Sequence, residues 1–90
     1  MSSFVISYDL LGNDGDYESL ISKIKTYTGW AKITESFWHI KSSKSCVDIR
    51  TDLKAEMSNG DRLFIAELTG NAAWSNIVCN SDKLKKLINQ

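Results

Sequence analysis

The stretch Phe4-Val5-Ile6-Ser7-Tyr8-Asp9-Leu10-Leu11-Gly12-Asn13-Asp14-Gly15-Asp16-Tyr17 holds the change of pattern from which the fold is read. Phe4 to Leu10 is an apolar run rich in aromatic and branched residues, with serines before it and a glycine-rich turn after it. That is the signature of a strand, and of a central one. From Asp16 the period changes. Tyr17, Leu20, Ile21, Ile24 and Tyr27 (or Thr28) fall three and four apart, which puts them on one face of a helix from Tyr17 to Thr28. Asp16 is placed to accept a hydrogen bond from the free amides of the first turn, and Gly29 to end the helix in the left-handed conformation.

Working outward, Trp30 to Lys41 returns to alternation, with Ala31 and Ile33 on one face and Trp38 and Ile40 on one face after a shift near Glu35-Ser36. Twelve residues are long for one strand, so the stretch reads as a bent hairpin or a bulged pair meeting at Thr34-Glu35-Ser36. Ser45, with Asp48 three residues on, matches a helix-capping pattern, and Cys46, Ile49, Leu53 and Met57 form the apolar stripe of a second helix. Asn59-Gly60-Asp61 stops it. Arg62 to Leu68 is then a nearly continuous apolar strand, of the kind expected in a sheet centre or covered on both faces. Trp74 to Cys79 reads as a short fifth strand and Asp82 to Ile88 as a last helix.

The order strand, helix, strand, strand, helix, strand predicts an α+β fold, a single ferredoxin-like βαββαβ domain over residues 1–90, with two helices on one face of an antiparallel sheet. The other face is then bare. Phe4, Tyr8, Phe37, Trp38 and Phe64 are more aromatic surface than the helix side of so small a core absorbs, which predicts a homodimer. The segment Ser75 to Cys79 is a candidate to add its edge to the neighbour's sheet.

Ninety residues allow one core but no large enclosed cavity, so an active site is expected to be shallow or completed by a second copy. With 42% hydrophobic and 24% charged residues the chain has neither a disordered nor a membrane-spanning composition. Its first residues lack the basic flank and apolar core of a secretion signal, so a cytoplasmic location is expected. Cys46 and Cys79 have no metal-ligand or redox spacing and read as reduced thiols. Eleven basic residues balance eleven acidic ones, which argues against unspecific attraction to a polyanion. Lys83, Lys85 and Lys86 are the one dense basic group.

Chemistry is best sought at Asp9, a carboxylate at the C-terminal end of a buried strand beside a glycine-rich turn. Magnesium takes hard oxygen ligands and keeps most of its waters, so one or two such carboxylates facing a phosphate suffice, and dimer symmetry offers a second Asp9. An Asp at a strand end also serves simply to bind turn amides, and that reading stands beside the first. Asp14 and Asp16 lack the spacing of a calcium loop, and capping accounts for Asp16. Glu35 and Ser36, at the hairpin bend, come near Asp9 if the first and third strands are neighbours. His39, the only histidine, reads as packing, as surface, or as an acid or base. No Ser-His-Asp or Cys-His set and no phosphate-binding glycine loop is present. Trp30, Trp38 and Trp74 could stack on bases, but without regularly interleaved basic residues packing is favoured.

Phe4-Val5-Ile6-Ser7-Tyr8-Asp9-Leu10, the helix after it, Ile33 to Ile40 and Asp61-Arg62-Leu63-Phe64-Ile65 together resemble the small ferredoxin-fold CRISPR-associated endonucleases of the spacer-integration complex and the virulence-associated protein D toxins. Closer still is the similarity to short SinR-like bacterial proteins, over about residues 3–75. They share the Tyr-Asp-Leu strand end, a serine before an aromatic in the middle strand and an Ala-Trp after the last core strand. The resemblance implies a homodimer, Asp9 as a magnesium-binding catalytic carboxylate and Ser36 as the middle-strand catalytic serine. It thus implies a metal-dependent nuclease acting on RNA or DNA in a toxin or defence role. The alternative is a non-catalytic dimeric adaptor or inhibitor that binds another protein through the sheet face and the Trp74 segment. One departure is plain: the CRISPR-associated members usually carry arginines soon after the strand-one Asp, where this chain has the acidic Gly12-Asn13-Asp14-Gly15-Asp16, which repels phosphate.

Overall fold

The structure is a computed structural model that describes residues 1–11, 17–69 and 71–89, with the backbone alone at Tyr17. The expected capping by Asp16 and the acidic turn at 12–16 lie outside the described residues. The first apolar run forms β1 (Ser2–Asp9), which is central: the antiparallel sheet has the order β2-β3-β1-β4, with β2 at Gly29–Thr34, β3 at Phe37–Ser42 and β4 at Arg62–Leu68. Helices α1 (Tyr17–Ile24) and α2 (Cys46–Lys54) make the two crossovers, and α3 (Ser81–Asn89) follows. This α+β arrangement is compatible with a ferredoxin-like fold.

The register assigns the faces. Phe4 and Ile6 of β1 lie opposite Ile40 and Trp38 of β3, while Ile6 and Tyr8 lie opposite Ile65 and Leu63 of β4. These side chains meet Leu20, Ile24 and Tyr27 from α1 and its following turn, and Ile49 and Leu53 of α2, in the main core. The Trp38 indole N–H donates to the Tyr8 hydroxyl at 3.0 Å, so burying a large ring leaves its one polar atom satisfied. Ser45 caps α2, its hydroxyl accepting from the Asp48 amide at 3.1 Å. The hairpin is both bent and bulged, with a two-residue turn at Glu35-Ser36 and a register shift between Lys32 and Thr34.

Four expectations are corrected. The second sheet face is not bare of helices. Ala31 of β2, on the face opposite the main core, packs with Leu84 and Ile88 of α3 in a second cluster that also gathers Ile33, Leu68, Trp74, Ile77 and Leu87. Gly29 does not cap α1, which ends at Ile24. It opens β2, where a Cβ would lie 2.8 Å from Leu87 Cδ2, so its missing side chain admits α3. Trp74 to Cys79 forms no strand of its own. The Val78 amide donates to the Ile33 carbonyl at 2.9 Å, so the segment lies against its own β2 edge. Finally, β4 is an edge strand rather than a central one, because α2 returns the chain to the far side of β1. On the second face its Leu68 reaches the α3 cluster, Ala66 is half-buried and Phe64 is 63% exposed.

Candidate functional site

Asp9 ends β1 opposite Arg62, the first residue of β4, on the face away from α1 and α2. Its carboxylate lies 3.8 Å from the Arg62 guanidinium, and both side chains are largely exposed. An exposed pair at that separation contributes little, about 0 to 1 kcal/mol. Asp61 shares the corner with its two oxygens committed to the chain. One accepts from the Leu11 amide at 2.7 Å and the other from the Ser58 amide at 2.8 Å. Asp61 therefore ties the end of β1 to the start of β4 and takes the amide-binding role considered for Asp9. Sequence reading saw Asp61 as a helix stop; its contact with Leu11, fifty positions away, has no local signal.

Ser36 comes to the same end of the sheet. The Tyr8 amide donates to the Ser36 carbonyl at 3.1 Å, because β3 pairs with β1 up to Ser7–Phe37 and the hairpin turn follows. Glu35 of the same turn faces solvent and pairs with Lys32 at 3.4 Å. Magnesium would ask this corner for several hard oxygen donors. One chain presents Asp9 beside a guanidinium and Asp61 already bonded to two amides, and no group of three or more His, Cys, Asp or Glu side chains converges among the described residues. Among the described residues, the carboxylates that reach this corner are thus Asp9 and Asp61.

His39 is fully buried on the second face, between Ala31 and Val5 in the cross-strand row. Neither ring nitrogen has a hydrogen-bond partner among the described residues. Burial, and then the charge of Lys41, push its pKa from 6.5 down to about 4, so it is neutral in the folded chain. A side chain in this position cannot meet a substrate, and His39 belongs to packing. Cys46 and Cys79 are free thiols.

The tryptophans separate by environment. Trp38 is core and Trp74 donates its indole N–H to the Ser81 hydroxyl at 3.0 Å. Trp30, half-buried at the β2 edge, has the Lys25 ammonium 5.1 Å and the Lys83 ammonium 4.2 Å from its ring. These cations come from positions too far apart in the chain for interleaving to reveal them.

A different feature stands out on the second face. Phe37, Ser7 and Phe64 form one cross-strand row, and Val5 and Ala66 the next. α3 and the segment before it cover the β2 and β3 side of that face and reach Leu68 of β4, while at the other end of β4 Phe64 is prominent. Asp9 and Arg62 border it. Among the described residues no helix is long and apolar enough to cross a membrane. The chain matches no family model, and no curated protein and no solved structure is significantly similar to it, so the resemblance to the CRISPR-associated and virulence-associated proteins rests on the short motifs that suggested it.

Proposed function

We propose that the protein is a non-catalytic dimeric adaptor or inhibitor, self-associating through the open half of its second sheet face. The observation that carries this reading is the exposed Phe64 in the row Phe37–Ser7–Phe64, with Val5 and Ala66 beside it, all four of its neighbours half-buried. Apolar patches of this kind on small proteins mark association surfaces. Zero net charge removes the repulsion between copies that would oppose it. The surface is the sheet face without the Trp74 segment, which is engaged with its own β2. Sedimentation equilibrium tests the reading: a dimer is expected, and Phe64→Asp should yield a monomer with unchanged circular dichroism. Wild-type protein that stays monomeric across the accessible concentration range overturns it.

A second reading, a dimeric magnesium-dependent ribonuclease or nuclease of toxin or defence type, is favoured by one observation. Asp9 lies on the same face as Phe64, so association there draws both Asp9 carboxylates to one interface, with the Ser36 turn at the same end of each sheet. It expects cleavage of RNA or DNA with magnesium that is lost in Asp9→Ala. Cleavage unchanged by that substitution removes Asp9 from any such role.

A further inference from the structure

We infer that the groove between α2 and the open edge of β4 binds an extended acidic segment of a partner protein. An edge strand presents a row of unpaired amides and carbonyls, and proteins usually blunt such edges with proline, bulges, inward charges or a covering segment. β4 has neither proline nor bulge along its seven residues, and its one charge on the α2 face, Glu67, stands at the far end. Its register with β1 is unbroken from Leu68 to Arg62, and among the described residues no backbone group bonds its outer side. Its charged residues, Arg62 and Glu67, stand near the two ends.

Beside this edge two concavities follow one another along α2. The larger, about 360 Å³, is lined by Arg50, Lys54, Met57 and Leu63 together with the Ser58–Asp61 turn. The smaller, about 130 Å³, is lined by Cys46, Val47, Arg50, Leu63 and Ile65. The floor is thus apolar and the helix wall basic. Arg50 and Lys54 are four residues apart on one helix face, a like-charge pair that a carboxylate between them would relieve. Neither forms an ion pair among the described residues. Asp61, the acidic residue in the larger concavity, already accepts two backbone amides. Glu67 lies at the other end of the strand and opposes an acidic residue there.

A strand added to β4 sends alternate side chains toward α2. Glutamates at those positions would lay their stems on Leu63 and Ile65 and their carboxylates against Arg50 and Lys54, while the added backbone pairs with the edge. This gives the proposed adaptor its partner class, and rests on the reading of the chain as a binding module, not on its dimerisation.

The test is a titration of the full chain, followed by amide chemical shifts and hydrogen exchange, with an acetylated and amidated heptapeptide of alternating glutamate and threonine. A lysine–threonine peptide of equal length is the control. The acidic peptide should shift and protect the outward amides of β4, and the control should not. Arg50→Glu with Lys54→Glu, both exposed positions, should weaken the acidic peptide by about tenfold or more and admit the lysine peptide. Equal binding of the two peptides, or shifts away from α2 and β4, overturns the inference. So does concentration-dependent protection of β4 without peptide, which would give the edge to a second copy. Sedimentation on the same samples separates the two readings: a monomer that binds the acidic peptide defeats the dimer and leaves this inference standing.

Discussion

The two edges of the sheet are treated differently by the same chain. At β2 the Val78–Ile33 hydrogen bond occupies part of the edge, Lys25 and Lys83 crowd Trp30, and α3 lies on the adjoining face with Leu84 and Ile88 against Ala31. At β4 the strand is as long and as apolar, yet its outer side is open and Phe64 projects into solvent. Among the described residues, α3 and the segment before it lie at the β2 edge, and no backbone group bonds the outer side of β4. That asymmetry, more than any single residue, underlies the proposed association at β4 and the sheet face beside it.

The covered edge should be the costlier to disturb. Leu84→Ala removes a side chain that is 1% exposed and leaves a cavity under α3, with an expected loss of about 2 to 5 kcal/mol in urea denaturation. Faster exchange at Ile33 and Val78 should accompany it. If stability is unchanged, α3 does not hold the β2 side and the contrast with β4 fails.

His39, on the same covered side of the face, sharpens the comparison through pH. Its folded pKa of about 4 lies below the unfolded 6.5, so the unfolded chain binds the extra proton first. The stabilisation is therefore complete above pH 6.5 and is lost as pH falls toward 4, by about 3 kcal/mol over that interval. Thermal unfolding of wild type against His39→Leu reads it: the variant's midpoint should fall less across the same pH range. A parallel fall in both would place the titration elsewhere.

Gly29→Ala tests the close approach of α3 more gently. The new methyl meets the end of the Leu87 side chain, which can turn aside, and Lys41 Cβ at 3.3 Å, which cannot. A loss of about 1 kcal/mol is expected. The smallest effect belongs to the open side. Arg62→Ala breaks only an exposed ion pair with Asp9 and should change stability by less than about 1 kcal/mol.

Much of the architecture was legible because its causes are local. An apolar run marked β1, alternation the hairpin, the three-and-four spacing α1, and Ser45 with Asp48 the start of α2. The candidate site was legible only as residue types. Asp9 was correctly placed at a strand end, but Arg62 beside it and Asp61 tied to Leu11 come from a strand pairing that no short window contains. The apolar run of β4 suggests a strand covered on both faces or in the sheet centre. A run of side chains reports what a strand requires around it, and not whether its own chain supplies it.

By itself, then, the sequence determined the order of the main helices and strands and the apolar stripes of α1 and α2. Local steric and hydrogen-bonding preferences and the two periodicities are sufficient for those. Only the tertiary structure decided that Gly29 serves α3 rather than the end of α1, that His39 is packed out of reach, and that β4 rather than β2 is left open. Each depends on which distant segment arrives beside a residue, a matter of chain connectivity and packing that no stretch of neighbours encodes.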